Sequence, residues 1–267
     1  MRKHDPLLVG QYRNASSLNA RIQIYRYGTA RQSWPEWLLD QFGFPDECRI
    51  LELGCGTGGL WKANASRIPG GWEFVLSDSS PGMLGEAKKT LSDVGHPFSF
   101  QVIDAQSILF PDGSFDAVIA NHMLYHVPNR PRALSEVHRV LRSGGRFVAS
   151  TMGKKHTREL RELVARLAPE CAYPRDCDSI SDSFGLENGA EQLRPLFASV
   201  EMRSREDCLV VPEAKPVVDY ILSIDSARAY FEGERLAALV EAIESEIVAA
   251  GAMRISQHVG VFLCGVD

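Results

Sequence analysis

Between residues 48 and 152 the sequence alternates short apolar runs with helical patterns, and this alternation limits the fold more than any other feature. The apolar runs are "RILELG", "WEFVLSD", "FSFQVIDA", "FDAVIAN" and "RFVAST". The segments between them carry helix signals, such as Ser80 and Pro81 ahead of the apolar Met83 and Leu84. Parallel strands need long crossover connections, which are usually helices. The pattern therefore predicts an α/β fold with a mainly parallel sheet and helices on both faces.

The chain outside that region adds further elements. "SVEMRSREDCLVV" and "HVGVFLCGV" predict two more strands near the C terminus, separated by helical stretches. Ser33 and Glu36 have the spacing of a capping box, which predicts a helix before the sheet. Residues from about 168 to 188 are mostly small or polar and predict a loop. We expect one domain over residues 1–267, with an N-terminal helical cap (1–45), a ligand-binding core (46–153) and a C-terminal half with helical insertions and the last two strands (154–267).

Composition narrows the partners and the location. Acidic residues outnumber Lys plus Arg by five, and no basic stretch with interleaved aromatics occurs, which argues against nucleic acid. No run of about 18 apolar residues predicts a membrane span, and "MRKHDPLLVG" lacks the apolar run of a signal peptide, so we expect a cytoplasmic protein. Six scattered cysteines without a C-x-x-C pair predict neither a zinc site nor disulfides. A small molecule is the expected partner, and the oligomeric state stays open.

The segment "ILELGCGTGGLW" links the first predicted strand to the next helix, and its glycines fit two kinds of cofactor loop. Gly54, Gly56 and Gly59 satisfy the dinucleotide pattern G-x-G-x-x-G. Gly54, Gly56 and Gly58 give E-x-G-x-G-x-G instead, with Glu52 in front. In both patterns glycines let the backbone approach a ligand, and the helix N terminus offers unpaired N–H groups. The glycines alone leave both cofactors open.

The charge of Glu52 separates the two. A carboxylate two residues before the first glycine does not help to bind a pyrophosphate, whereas S-adenosylmethionine brings a sulfonium cation and an ammonium group that a carboxylate attracts. Asp78 ends the second predicted strand, where it suits the ribose hydroxyls of either cofactor. Asp104 ends the third and suits an adenine amino group. Glu52 is the acid that favours S-adenosylmethionine over NAD.

With "FPDGSFDAVIANHMLYHV" and "EVHRVLRSGGRF" following in order, residues 48–152 resemble the class I S-adenosylmethionine-dependent methyltransferases, particularly those of small molecules. The resemblance implies a Rossmann-like seven-stranded sheet, mostly parallel, with an antiparallel last strand. It also implies transfer of a methyl group from S-adenosylmethionine to an O, N or C nucleophile of a small-molecule acceptor. The product of the cofactor is then S-adenosylhomocysteine.

The resemblance implies roles for single residues in the cofactor site. They are Glu52, Gly54, Cys55, Gly56 and Gly58 around the methionine part, Asp78 on the ribose with Ser79 and Met83 beside the adenosine, Asp104 and Ala105 at the adenine edge, and Asn121 beneath the sulfonium. We interpret Cys55 as a small residue that fits a tight loop, not as a nucleophile.

Two histidines follow the fourth strand. His126, in "LYHV", matches a histidine that faces the acceptor in small-molecule methyltransferases, so it is the catalytic candidate, as a base, with simple packing as the alternative. His122 lies four residues earlier, a spacing that on a helix suggests a metal pair, but no third ligand is evident and we predict no metal site. For His122 we favour packing over a substrate contact. Tyr12 and Tyr27 are candidates for a lid over the substrate, with core packing as the alternative.

Two other functions stay open at this point. One is an NAD-dependent oxidoreductase that uses the Gly59 register, and the other is a regulatory module that binds S-adenosylmethionine without turnover. Methylation of DNA amino groups is disfavoured because "NHML" follows the fourth strand, where those enzymes carry an acid or asparagine followed by two prolines and an aromatic.

Overall fold

The computed structural model describes residues 21–267, and within them seven strands form one sheet. The strands are β1 (Glu47–Leu53), β2 (Gly71–Asp78), β3 (Phe98–Val102), β4 (Phe115–Asn121), β5 (Leu141–Met152), β6 (Ser199–Val211) and β7 (Met253–Gly265). Their order across the sheet is β3-β2-β1-β4-β5-β7-β6. All seven strands predicted from the sequence are present.

The pairing confirms the predicted fold class. β1 pairs in parallel with β2 and β4, β2 pairs in parallel with β3, and β4 pairs in parallel with β5. β7, the last strand in the chain, runs antiparallel to β5. The chain order reverses between β1 and β4, and in open α/β sheets a ligand crevice forms outside the carboxyl ends of strands at such a point.

Ten α-helices connect the strands in the described part of the chain. They are α1 (Trp34–Gln41), α2 (Gly59–Ala63), α3 (Pro81–Thr90), α4 (Arg130–Val140), α5 (Arg158–Leu167), α6 (Tyr173–Phe184), α7 (Gly189–Leu193), α8 (Ala214–Leu222), α9 (Asp225–Tyr230) and α10 (Glu234–Ala250). The capping box before α1 is confirmed, because the Ser33 N–H donates to Glu36 Oε2 at 2.8 Å. No described helix is long and apolar enough to cross a membrane.

One compact unit, called here the sheet unit, comprises Gln32–Gly153, Ser183–Ser204 and Val259–Asp267. Apolar side chains fill its interior in two clusters. Leu51, Val118 and Phe147 represent the first, and Ile50, Trp61 and Ile119 the second. Since neighbouring residues of one strand enter different clusters, β1 and β4 are buried on both faces, as parallel strands covered by helices are.

The second compact unit, called here the insertion unit, comprises residues 21–31, Lys154–Asp182 and Arg205–His258 of the described chain. Its core joins Leu160 and Val164 of α5 with Ile221 of α8 and Leu239 of α10. Gly251 caps the C-terminal end of α10 in the left-handed conformation, with φ of 79°. The single domain and its three segments stay a prediction.

Two local predictions were wrong. The expected polar loop between about 168 and 188 contains α6, whose inward positions include Tyr173, Cys177 and Ser181. These residues recur every fourth position, as on one face of a helix, but a serine and a cysteine hide the apolar pattern that signals a helix. The segment "NRPRALSEVHRVLRSGG" also predicts a helix that ends at Gly144. The helix ends earlier, because α4 stops at Val140 and β5 begins at the next residue.

Candidate functional site

The loop between β1 and α2 holds three alternate glycines in the left-handed region. Their φ angles are 68° at Gly54, 56° at Gly56 and 76° at Gly58. A Cβ on Gly54 would lie 2.9 Å from the Cβ of Met123, and a Cβ on Gly58 would lie 2.9 Å from the Cδ1 of Leu91. Both positions therefore need glycine for their backbone angle and for the space around them.

Gly59 differs from these three. It is the first residue of α2, and a Cβ there would meet no atom within 4 Å. In a dinucleotide loop the third glycine allows close packing of the helix on the strand. Because Gly59 has no such packing to allow, the geometry favours the register of Gly54, Gly56 and Gly58. This geometry argues against the NAD-dependent alternative, because its pattern depends on a glycine at position 59.

Asp78, at the carboxyl end of β2, braces this loop. Its Oδ2 accepts the backbone N–H of Gly56 at 3.1 Å, and its Oδ1 accepts the backbone N–H of Ser80 at 2.8 Å. Burial raises the pKa of the Asp78 carboxyl, and the two N–H donors oppose that rise. A carboxylate oxygen has two lone-pair sites, so each oxygen can accept one more hydrogen bond. Asp78 can therefore fix the shape of the loop and accept a hydrogen bond from a ligand hydroxyl at the same time.

Glu52 lies within β1, with only 1% of its surface exposed. Its Oε2 accepts the indole N–H of Trp61 at 2.6 Å. Burial raises the pKa of Glu52 to about 7; the Trp61 hydrogen bond opposes the rise and the negative charge of Asp78 adds to it. A cation held at the loop would favour the ionised carboxylate and lower that pKa. Cys55 is buried as well, and burial raises the pKa of its thiol, which fits a packing role.

The residues predicted at the adenosine lie after β2 and β3. Ser79 is exposed, while Met83 is buried in α3. Asp104 is exposed after β3, and its Oδ1 accepts the backbone N–H of Gln106 at 2.9 Å. Ala105 is buried. The arrangement leaves carboxylate oxygens of Asp104 accessible to a ligand at this edge of the sheet.

Asn121 ends β4 beside the glycine loop. The last paired residues of β1 and β4 are Leu53 and Ala120, so Gly54 and Asn121, which come next, lie at the same edge of the sheet. The Oδ1 of Asn121 accepts the Ser150 hydroxyl at 2.6 Å and the Trp34 indole N–H at 3.4 Å. These two donors fix the amide so that its NH₂ group is the part left to meet a ligand.

His122 follows Asn121 and is one of two non-glycine residues with positive φ among residues 21–267, at 51°. Its backbone N–H donates to the Ser150 Oγ at 3.0 Å. The imidazole lies 5.2 Å from the Trp34 ring, between ring centroids. Its Nδ1 is buried and has no hydrogen-bond partner in the described residues. Burial lowers the pKa of His122 to about 4, so the ring is neutral near pH 7.

His126 lies in a short 3-10 helix, Leu124–His126. Its ring contacts Tyr125 at 4.5 Å between centroids. The Arg130 Nη1 donates to the Leu124 carbonyl at 3.1 Å and so ties this turn to α4. His122 precedes the turn, so the two histidines do not share one face of an α-helix. Among residues 21–267 no group of three His, Cys, Asp or Glu side chains could hold a metal ion.

Of the two tyrosines, Tyr12 lies outside the described residues. Tyr27 belongs to the insertion unit, where its hydroxyl donates to Glu213 Oε1 at 3.0 Å and accepts from Arg26 Nη2 at 2.8 Å. Its ring packs against the apolar core of that unit. The lid role predicted for Tyr12 and Tyr27 stays a prediction.

Three residues at the site escaped the sequence analysis. The indole N–H of Trp61 donates a hydrogen bond to Glu52. The indole N–H of Trp34 and the hydroxyl of Ser150 donate hydrogen bonds to Asn121. The sequence does contain a signal for Ser150. It pairs directly with Asn121 in the register of β4 and β5, so aligning the ends of the two predicted strands places these residues side by side. The indole contacts depend on how α1 and α2 pack, which no local pattern in the sequence encodes.

Residues 51–149 match the methyltransferase domain family. This match, with the relatives below, supports a class I S-adenosylmethionine-dependent methyltransferase. The matched segment contains the glycine loop, Asp78, Asp104, Asn121 and both histidines of the site. The family predicted from the sequence is confirmed, and with it the cofactor for which the family is named.

The curated relatives of this chain are named for different acceptors. It is 32% identical over 152 residues to the demethylmenaquinone methyltransferase of Symbiobacterium thermophilum, covering 55% of this chain and 59% of that one. It is 33% identical over 139 residues to a malonyl-[acyl-carrier protein] O-methyltransferase of Magnetococcus marinus, covering 52% and 50%. The match thus spans between half and three fifths of these relatives' length.

Among solved structures, the fold resembles phosphoethanolamine N-methyltransferase 2 of Haemonchus contortus in complex with S-adenosyl-L-methionine. The TM-score is 0.61 at 19% identity, over 100% of this chain and 60% of that one. At this identity the likeness shows the fold, and it supports the Rossmann-like architecture described above.

Proposed function

We propose that this protein transfers the methyl group of S-adenosylmethionine to an oxygen, nitrogen or carbon nucleophile of a small-molecule acceptor. The observation that carries the proposal is the loop after β1, in which Gly54, Gly56 and Gly58 are left-handed and the Gly56 N–H is held by Asp78. Gly59, which the competing dinucleotide pattern needs, has no packing reason to be glycine. Family membership supports the same reading.

The residues at the carboxyl edge fit S-adenosylmethionine. The glycine backbone of the loop would hold the methionine part, with the carboxylate of Glu52 beneath it. Asp78 has acceptor capacity left for ribose hydroxyls, and exposed Asp104 has it for an adenine amino group. Ser79, Met83 and Ala105 would border the adenosine. These positions carry three carboxylates, those of Glu52, Asp78 and Asp104, and their negative charge suits a positively charged ligand.

When bound, S-adenosylmethionine supplies a methyl group on a positively charged sulfur. The protein has to hold the acceptor in line with that group and exclude water, because positioning alone accounts for about 7 to 11 kcal/mol of such a barrier. Asn121, whose side chain accepts hydrogen bonds from Ser150 and Trp34, would orient a ligand at the end of β4. His126 is the residue proposed to take a proton from the acceptor, in a turn tied to α4 by Arg130.

The relatives do not decide which atom of the acceptor receives the methyl group. One curated relative is an O-methyltransferase and one solved neighbour is an N-methyltransferase. The acceptor class therefore has to be found by experiment. A cytoplasmic location and a partnership with small molecules alone, without nucleic acid, stay part of the proposal.

Titration calorimetry with S-adenosylmethionine, S-adenosylhomocysteine and NADH tests the cofactor. We expect both adenosyl ligands to bind and NADH to give no heat. Binding of NADH with no response to the adenosyl ligands would remove the proposal. Incubation with methyl-labelled S-adenosylmethionine and a panel of phenols, amines and carboxylic acids then tests turnover. Binding without any labelled product would favour the regulatory module instead.

A further inference from the structure

The backbone of His122 adopts the left-handed conformation. Its φ of 51° lies in a region where residues other than glycine are uncommon, although histidine, asparagine and aspartate occur there more often than other residues do. Two acceptors on Ser150 hold the strained residue, since the His122 N–H lies 3.0 Å from the hydroxyl and 3.3 Å from the carbonyl oxygen. Strained residues of this kind collect at ligand sites.

The His122 imidazole adds a second unfavourable feature. Its Nδ1 is buried without a hydrogen-bond partner among residues 21–267. Buried polar atoms in folded proteins almost always have a partner, so an orphan of this kind calls for an explanation. The residue as a whole is only partly buried. A ligand that reaches the ring is one explanation for the missing partner.

The surroundings of His122 place it at the reaction site. It follows Asn121 directly, and its neighbour Met123 lies against the first glycine of the loop. The Trp34 ring lies beside the imidazole, and the same indole donates to Asn121. The imidazole therefore belongs to one packed group with the amide and the glycine loop.

We propose that His122 contacts the methyl acceptor and that its imidazole accepts a hydrogen bond from an O–H or N–H group at the attacked atom. This inference rests on the proposed function and assigns the acceptor's chemistry: a nucleophile that carries a proton, such as a hydroxyl or an amine. The sequence analysis favoured packing for His122. A packing role leaves both the strained backbone and the orphaned nitrogen without a reason.

The lowered pKa of His122 defines the kind of contact. A ring that is neutral near pH 7 offers no positive charge to a carboxylate acceptor. A ring that holds a proton so weakly is also a poor base. His122 is then suited to hold and orient the nucleophile, while proton removal falls to another group.

The first test uses His122→Asn, since asparagine tolerates the left-handed backbone and has a polar side chain. We expect this variant to unfold at the same temperature as the wild type or higher, because it relieves strain at a residue kept for binding. We expect it to bind S-adenosylhomocysteine within threefold of the wild type. His138→Asn in α4 is the matched control and should leave both unchanged. A clear drop in melting temperature for His122→Asn indicates a structural ring and overturns the inference.

The second test observes the ring directly by ¹⁵N NMR of histidine-labelled protein saturated with S-adenosylhomocysteine. The His122 signals are assigned by their absence in His122→Asn. Phenol and methylammonium, which carry O–H and N–H groups, should shift these signals. Anisole and tetramethylammonium, which lack those groups, should not. An equal response to both members of each pair, or none up to tens of millimolar, overturns the inference. Failure to bind S-adenosylhomocysteine would instead remove the proposed function on which it rests.

Discussion

The Asp78 carboxylate accepts the backbone N–H of Gly56 at 3.1 Å, so an acid at the end of β2 fixes the shape of the loop that follows β1. The same carboxylate accepts the Ser80 N–H and so also fixes the start of α3. One side chain thereby links the two segments expected around the methionine and ribose parts of the cofactor. A change at Asp78 alters both at once.

We expect Asp78→Ala to weaken binding of S-adenosylhomocysteine by about 1 to 3 kcal/mol, through lost ribose contacts and a loosened loop. Asp78→Asn should weaken it less, because the amide oxygen still accepts one hydrogen bond. Titration calorimetry measures both. Asp93→Asn, in an exposed ion pair with Lys62, is the control and should have no effect. Unchanged affinity in Asp78→Ala would retire the ribose assignment.

The two glycine registers make opposite predictions for neighbouring substitutions. Gly58→Ala places a Cβ 2.9 Å from Leu91 at a φ of 76°, so we expect it to destabilise the protein by about 1 to 3 kcal/mol. Gly59→Ala lies in open space at a helical position and should be neutral or stabilising by up to about 1 kcal/mol. Denaturant unfolding compares the two. An equal loss of stability in both variants would support the dinucleotide register instead.

Much of the site was predictable because its residues follow strands. Asp78 and Asn121 each end a short apolar run, and parallel strands bring their carboxyl ends to one edge. The alternation of strands and helices thus predicts both the sheet and the edge at which acids and glycines meet. The antiparallel last strand came from the family resemblance, because alternation itself does not encode strand direction.

Other features depend on tertiary packing and left no local signal. α6 escaped detection because Cys177 and Ser181 fill inward positions usually taken by larger apolar residues. The hydrogen bond from Trp61 to Glu52 depends on how α2 folds back over β1. The left-handed backbone of His122 is accompanied by hydrogen bonds from its N–H to Ser150, which lies on a different strand. Local secondary-structure propensity predicts none of these three features.

Glu52 predicts an unusual dependence of stability on pH. Its pKa is about 7 in the folded protein against the ordinary 4.5, so between these values the folded state holds a proton that the unfolded state releases. Stability therefore falls as pH rises through this window, by up to about 3 kcal/mol. We expect Glu52→Gln to be more stable than the wild type at pH 8 and to lose the advantage near pH 4. Denaturant unfolding across pH measures this, and parallel curves for the two proteins would contradict it.

The same carboxyl should make binding depend on the charge of the ligand. S-adenosylmethionine has a sulfonium charge that S-adenosylhomocysteine lacks, and that charge favours ionised Glu52. We expect the ratio of their affinities to move toward S-adenosylmethionine between pH 6 and pH 8, by up to about tenfold, or about 1.4 kcal/mol. Calorimetry with both ligands tests this. Glu52→Gln should remove the pH dependence, and a ratio that stays constant in the wild type would show that Glu52 does not sense the sulfonium.

His126 as the base predicts a loss in turnover without a loss in cofactor binding. Removing a general base lowers rates by about 10² to 10⁴-fold, so we expect His126→Ala to lose turnover on that scale while binding S-adenosylhomocysteine normally. Arg130→Gln frees the Leu124 carbonyl and loosens the turn, and it should give a smaller loss. Initial rates with an acceptor found in the panel, measured across pH, compare both variants with His138→Ala. Full turnover of His126→Ala at every pH would assign His126 to packing and leave proton removal to the solvent or to the acceptor itself.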